Sequence, residues 1–277
     1  MLGQAVVASL GAAFPSAGII ATKKDSLDIS DRSLTEKALC STPRPDVVIN
    51  CAAFTKVDLA ETETFAAFTA NTYGPGILAE ACAREEIKLV HFSTDYVFDG
   101  SKMEPYTEYD PVNPVSHYGS TKLQGERRVM GASHRNLSIR TSWLFGPGGP
   151  NFVKTMILKG RQLGKLRVVD DQIGAPTYTY DLAMGAIRLI QEDATGVVNV
   201  TNSGECSWYQ FAVEILRIAG LNEVEVTPIP SAEYPTPATR PKNSRLSGAR
   251  FAAITGQPLR HWREALAEYL ARGERGL

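Results

Sequence analysis

Short apolar runs rich in β-branched residues alternate along this chain with longer stretches whose apolar positions recur every three or four residues. The runs are Gly18-Ile19-Ile20-Ala21-Thr22, Val47-Val48-Ile49-Asn50, Lys88-Leu89-Val90-His91-Phe92, Leu137-Ser138-Ile139-Arg140-Thr141 and Val197-Val198-Asn199-Val200. Their nearly continuous apolar character is that of strands buried on both faces. Helical patterns lie between them, as over 66–85 and 118–130. The alternation predicts an α/β fold: a doubly wound parallel sheet covered by helices, with right-handed connections. In such a sheet, ligands sit at the carboxyl ends of the strands.

The pattern changes after about residue 145. Gly146-Pro147-Gly148-Gly149-Pro150 interrupts the chain, and Asn151 is placed to cap a helix running to about Gly160. Ser207 and Gln210 form a capping box for a helix over 208–219. Prolines crowd the stretch 228–241, which reads as ordered but irregular. A closing amphipathic helix over 262–271 carries Trp262, Leu266, Tyr269 and Leu270 on one side. Residues 1–145 and 171–202 are therefore assigned to the sheet domain, and 146–170 and 203–277 to a smaller mixed lobe. A lobe beside a sheet makes the cleft a ligand needs.

The beginning departs from this plan. A dinucleotide-binding α/β domain opens with a strand, a glycine-rich turn and a helix whose N-terminus receives the pyrophosphate. Here Met1-Leu2-Gly3-Gln4-Ala5-Val6-Val7 already has the character of that helix. Either the start lies about ten to fifteen residues inside the natural protein, the length of a strand plus its turn, or the chain does not bind the dinucleotide. The first expectation is preferred, because the chemistry further along is complete.

Composition removes several classes of function. Lys and Arg total 29 against 30 for Asp and Glu, so no net field steers the chain toward nucleic acid or an acidic membrane. No apolar run approaches the roughly 18 residues of a spanning helix. The N-terminus also lacks the basic region and cleavage pattern of a signal peptide. Cys40, Cys51, Cys82 and Cys206 are scattered, without a C-x-x-C pair, and read as free thiols of a cytoplasmic protein. The four histidines form no metal pattern, so no metal site is expected.

The candidate chemistry lies in Phe92-Ser93-Thr94-Asp95-Tyr96-Val97-Phe98-Asp99-Gly100 and in Tyr118-Gly119-Ser120-Thr121-Lys122. Tyr118 and Lys122 are four residues apart, so a helix puts them on one face, one turn apart. An ammonium beside a phenol lowers the phenol's pKa from about 10, which makes Tyr118 a proton donor suited to carbonyl reduction. Each residue also has a plainer reading. Tyr118 and Lys122 alone could be a solvated helix face, Thr94 a strand-end hydroxyl, and Trp143 a packed core aromatic.

These stretches together resemble the dTDP-4-dehydrorhamnose reductase family of extended short-chain dehydrogenases/reductases, over nearly the full length. The resemblance also rests on Leu27-Asp28-Ile29-Ser30-Asp31, Asn50-Cys51-Ala52-Ala53-Phe54-Thr55-Lys56-Val57-Asp58 and Arg140-Thr141-Ser142-Trp143. Asp171-Gln172-Ile173-Gly174-Ala175-Pro176-Thr177 and Arg240-Pro241-Lys242-Asn243-Ser244 complete it. It implies a Rossmann-like sheet domain and NADPH- or NADH-dependent reduction of the C4 ketone of dTDP-4-dehydro-β-L-rhamnose to dTDP-L-rhamnose. By the same resemblance, Tyr118 protonates the ketone oxygen, Thr94 donates to that oxygen, and Lys122 binds the nicotinamide ribose. Gly3, Asp28, Ile29, Ala53, Phe54 and Thr55 would line the cofactor together with Tyr118 and Lys122. Thr94, Asp95 and Trp143 would touch the nucleotide-sugar substrate.

Some points stay open at this level. Asp28 also suits the cap of a helix starting near Ser30. Lys23 and Lys24 suit either a 2′-phosphate or a solvated turn, and Asp171, Gln172 and Arg240 suit either salt bridges or substrate positioning. A homodimer and a bound magnesium ion are equally undecided. Two other functions compete: a nucleotide-sugar epimerase or dehydratase of the same fold, and a non-catalytic regulatory subunit like the β subunit of methionine adenosyltransferase.

Overall fold

The computed structural model describes residues 1–40 and 43–273. Helix α1 (Leu2–Ala13) leads through an irregular stretch to α2 (Arg32–Leu39), and strand β1 (Val47–Asn50) follows. Short helices α3 (Val57–Ala60) and α4 (Thr64–Phe68) run through a π-helical turn, Thr69–Tyr73, into α5 (Gly74–Arg84). Next come β2 (Lys88–Thr94), the 3₁₀ turn Asp95–Val97, α6 (His117–Ala132), β3 (Leu137–Thr141) and β4 (Leu144–Phe145). The second half contains α7 (Phe152–Leu163), β5 (Lys165–Val169), β6 (Ile173–Gly174), β7 (Thr177–Tyr178), α8 (Thr179–Gln191) and β8 (Gly196–Asn199). It closes with β9 (Cys206–Ser207), α9 (Trp208–Ile218), β10 (Glu225–Ile229), α10 (Ala249–Thr255) and α11 (Trp262–Ala271).

Strands β1, β2, β3 and β8 form one parallel sheet in that order. Asn50 pairs with His91, and Thr94 with Thr141, so the strands end at one edge. Every residue of β2 and β3 is buried, because helices cover both faces. On one face Leu182, Ala183 and Ala186 of α8 and Ala5 and Val6 of α1 pack with Val90, Phe92 and Ile139. On the other, Leu78 and Cys82 of α5 and Val129 of α6 pack with Leu89. Each Val, Leu, Ile or Phe among them, fully buried, contributes about 1.5–3 kcal/mol. The expected parallel α/β architecture is therefore present.

The second core is built from α7, α9, α11 and the short strands. It gathers Phe145, Tyr178, Phe211, Trp262 and Tyr269, all fully buried. Its caps are those the sequence foretells. Asn151 Oδ1 accepts from the Lys154 N–H at 3.1 Å, and the Ser207–Gln210 capping box is complete. Within the range assigned to the lobe, Phe251 and Leu259 pack instead into the sheet core, since α10 lies against α8 and β8.

The segment Gly18–Thr22 does not form the expected strand. A β-branched run becomes a strand only where a neighbouring ladder takes its backbone hydrogen bonds. No described strand pairs with this run, and Ile20 is 72% exposed. Asp28 does not cap a helix either. The cap of α2 is Asp31, whose Oδ1 accepts from the Leu34 N–H, while Asp28 folds back on the N–H and hydroxyl of Ser30.

Candidate active site

The site lies where β1, β2 and β3 end and α6 begins. Ser116 caps α6 by accepting from the Gly119 N–H at 3.2 Å. Two glycines then let this helix approach the neighbouring backbone. A Cβ on Gly119 would stand 2.2 Å from the Tyr96 carbonyl oxygen, and one on Gly125 1.9 Å from that of Asn71. Neither is sterically tolerable, so both contacts require glycine. The first contact brings Tyr118 alongside the turn after β2, where its ring meets Tyr96 edge-on at 5.6 Å.

Thr94 ends β2 and caps the 3₁₀ turn, its Oγ1 accepting from the Tyr96 N–H at 3.2 Å. The same hydroxyl lies 2.9 Å from Asp95 Oδ1 and stands against the Tyr118 phenol. Thr94 and Asp95 are both buried. Burial pushes the Asp95 carboxyl up to about 7, against the opposing pull of the Thr94 and Ser244 hydroxyls. Thr94, Asp95, Tyr118 and Lys122 are thus brought together at one sheet edge.

Lys122 is buried, and its Nζ donates to the Phe92 carbonyl at 2.5 Å. Burial brings its pKa down to about 8, while the neighbouring Glu126 pulls it the other way. The expectation that Lys122 lowers the Tyr118 pKa is not met in this structure. Burial pushes that phenol up to about 12, and the group that opposes the rise is the Thr94 hydroxyl. The physical reason is burial, which disfavours the phenolate more than its neighbours stabilise it, while the Lys122 ammonium donates to the backbone of β2.

The loop after β1 holds Ala53, Phe54 and Thr55. The Asn71 side chain grips it at both ends of one residue, accepting from the Phe54 N–H at 2.8 Å and donating to its carbonyl at 3.0 Å. The same amide reaches Thr121 Oγ1 at 3.2 Å, tying the loop to α6. Asn71 sits in the π-helical turn, and π turns cluster at functional sites. Sequence reading passed it over, although an asparagine inside a helical pattern, just before Gly74-Pro75-Gly76, is a visible irregularity.

Other expected residues are placed as follows. Gly3 faces Cys51, the residue after β1, at 3.6 Å from a notional Cβ. Ile29 presses on Gly74 at the start of α5. The Asp28 carboxylate is held below the usual range by Ser30. Trp143 has a left-handed backbone (φ 47°), which is uncommon outside glycine. Its indole stacks on Trp208 at 3.5 Å and lies against Gly174, where a Cβ would come within 2.4 Å. Arg240 makes a two-pronged salt bridge with Asp58. Asp171 accepts from the N–H and hydroxyl of Ser231.

A second buried layer, under α6, was not foreseen. Arg140 of β3 and Glu126 of α6 form a paired contact, Nε to Oε2 at 3.0 Å and Nη2 to Oε1 at 2.6 Å. Both side chains are about 5% exposed or less, so the pair pins the helix that carries Tyr118 and Lys122 to the sheet. Nothing in the sequence links positions fourteen residues apart across a strand and a helix.

The arrangement fits a dinucleotide at this edge. An ammonium has three donors, and Lys122 uses one on Phe92, leaving two for the hydroxyls of a ribose. The gripped loop 53–55 supplies a fixed wall beside it. Among the described residues no cluster suits a metal ion, and no helix is long and apolar enough to cross a membrane.

Comparison with known proteins agrees with this geometry. The family model of the RmlD substrate-binding domain matches residues 1–275. A dTDP-4-dehydrorhamnose reductase of Streptomyces griseus is 42% identical over 258 residues, covering 91% of this chain and 84% of the relative. The crystal structure of a dTDP-4-dehydrorhamnose reductase from Clostridium acetobutylicum superposes with a TM-score of 0.93 at 43% identity, over 98% of this chain and 95% of that one. That of a dTDP-4-dehydrorhamnose reductase from Bacillus anthracis, in complex with NADP, gives 0.93 at 36% identity with the same coverages. With an α/β sheet of this order, a Thr-Tyr-Lys edge and relatives of this similarity along most of its length, the chain belongs to the RmlD, or dTDP-4-dehydrorhamnose reductase, family.

Proposed function

We propose that this protein reduces the C4 ketone of dTDP-4-dehydro-β-L-rhamnose to dTDP-L-rhamnose with NADPH or NADH, as a step in making cell-surface polysaccharide in the cytoplasm. The observation that carries this reading is the convergence of Thr94, Tyr118 and Lys122 at one edge of the parallel sheet. The sheet body takes the cofactor and the lobe takes the nucleotide sugar. NADP in the Bacillus anthracis relative favours NADPH.

The cofactor, when bound, supplies the hydride. Lys122 holds the ribose hydroxyls, and its positive charge, kept below a pKa of about 8, steadies negative charge developing nearby. Tyr118 gives its proton to the ketone oxygen. A phenol raised to about 12 still suffices, because the alkoxide forming at the sugar is far more basic than a phenolate. Thr94 orients the phenol. Gly3, Ala53, Phe54 and Thr55 line the cofactor, with Asp28 and Ile29 on the adenine side. Asp95 and Trp143 meet the sugar, Trp143 being held by its stack on Trp208.

Incubating the protein with NADPH and the dTDP-4-keto sugar should consume the reduced cofactor, read as loss of its absorbance. Tyr118→Phe, folded normally, should abolish this consumption. A folded wild type that turns over nothing would overturn the reading in favour of a non-catalytic subunit.

A further inference from the structure

Asp95, beside the Tyr118 phenol, is a buried titratable group with an unpartnered oxygen among the described residues. Its side chain is only 2% exposed. One oxygen, Oδ1, lies 2.9 Å from the Thr94 hydroxyl. The other, Oδ2, is buried without a hydrogen-bond partner among the described residues. A buried carboxylate with an unpartnered oxygen is costly, whereas a neutral acid in the same place is much less so.

The groups around it offer hydrogen bonds but no charge: the hydroxyls of Thr94 and Ser244 and the N–H groups of Asp95 and Tyr96 favour the carboxylate, and burial outweighs them. Thr94 lies on its own strand end, Tyr96 follows in the 3₁₀ turn, Tyr118 approaches from α6, and Ser244 from the segment after Pro241. Arg240 and Asp58, which bear on Tyr96, are paired with each other. Burial accordingly puts the carboxyl's titration near 7.

Thr94 stands between this acid and the catalytic phenol. A hydroxyl has one proton and two lone pairs, and one lone pair is taken by the Tyr96 N–H. Its single proton can therefore point toward Asp95 or toward Tyr118, but not both. With Asp95 ionised, the proton points to the carboxylate. With Asp95 neutral, the acid can donate to Thr94, and the Thr94 proton is freed to point at Tyr118.

We propose that Asp95 is an internal proton store that recharges Tyr118 through the Thr94 hydroxyl. The proposal rests on the reductase reading and adds to it a route for the proton. The balance is simple. The sugar carbon gains the hydride, and its oxygen takes the Tyr118 proton. The phenolate takes the Thr94 proton, and Thr94 takes the proton of the Asp95 carboxyl. Asp95 is left as carboxylate and regains a proton from water after the product leaves. Thr94 is unchanged at the end, and contacts along such a route tighten when substrate is bound.

Two readouts test this. The first needs neither cofactor nor substrate. The infrared spectrum of the protein alone should show a protonated-carboxyl band that fades as pH rises through about 7, and Asp95→Asn should delete it. The second is kinetic. In the wild type, kcat should fall as pH rises through the same point. Asp95→Asn and Thr94→Val should each lower kcat by about 10²-fold and lose that break. Thr94→Ser, which keeps the hydroxyl, should retain the break.

The outcomes separate cleanly. An active wild type with no carboxyl band that titrates near pH 7 and disappears in Asp95→Asn overturns the proton store and leaves the reductase reading standing. So does an Asp95→Asn enzyme whose pH profile matches wild type, since Asp95 then serves as a sugar contact and nothing more. A folded wild type showing the titrating band but no turnover overturns the reductase reading, and with it the proton's route to the sugar.

Discussion

The layer between the sheet and α6 and the core of the lobe are both buried, yet they are filled in opposite ways. Under α6 lie Lys122, Glu126, Arg140, His91, Ser93 and Ser138, all buried. Several of their polar atoms, including His91 Nε2 and Ser138 Oγ, find no partner among the described residues. The lobe core instead packs ring on ring, with Phe211 meeting Trp262 edge-on at 5.5 Å and Phe145 stacking on Tyr178 at 5.6 Å. Buried charge is weak evidence for stability, because desolvation can cancel the attraction. Aromatic burial stabilises outright. The polar layer under α6 holds the candidate chemistry and adds little stability, while the ring-packed core of the lobe adds much.

Breaking the chemistry without the packing should give the largest effect. Tyr118→Phe is expected to lower kcat by about 10²–10⁴-fold while thermal unfolding is unchanged. In the lobe, Phe211→Ala should cost about 3–5 kcal/mol, read from the urea midpoint. Under α6, Arg140→Met should cost a similar amount, about 3–5 kcal/mol, because it strands Glu126 as an unpaired buried charge. Here the two regions part company. Adding Glu126→Leu to Arg140→Met should recover most of that loss, whereas no second deletion repairs the cavity left by Phe211. Failure of the double variant to recover would mean the polar layer stabilises the fold as the lobe does.

The smallest effect is a slope. The folded-state pKa of Lys122 lies near 8, below its ordinary value of 10.5, because burial disfavours the ammonium. Between these two values the unfolded chain binds more protons than the folded one, so stability rises with pH across that window. Below about 8 the cost of the buried charge is fully present. Lys122→Met should flatten the slope between pH 8 and 10.5 and should be more stable than wild type at neutral pH, though inactive. An unchanged slope, from urea midpoints across that range, would place the titration elsewhere.

Much of the fold was legible because its signals are local. The runs at 47–50 and 137–141 are strands with those limits, the closing helix spans Trp262–Ala271, and Asn151 and Ser207 cap the helices they precede. What escaped depends on partners distant in sequence. The run at 18–22 has strand composition but no ladder to join, and the cap expected at Asp28 passed to Asp31 three residues on. In the site, the order Thr94, Tyr118, Lys122 could be read from motifs. The direction of the Lys122 ammonium, the grip of Asn71 on Phe54 and the Arg140–Glu126 pair could not. Each is a contact between elements distant in sequence, and α6 itself is seated against the turns at Tyr96 and Asn71 through Gly119 and Gly125.

Thr94, Tyr118 and Lys122 are proposed to serve the reduction of a nucleotide-sugar ketone. The most direct measurement is a transfer experiment with NADPH carrying deuterium on the reactive carbon of its nicotinamide. After incubation with the dTDP-4-keto sugar, the sugar product should carry one deuterium at C4, seen by mass spectrometry and NMR, and Tyr118→Phe should give none. A folded wild type that binds NADPH yet leaves the keto sugar unlabelled would contradict the account.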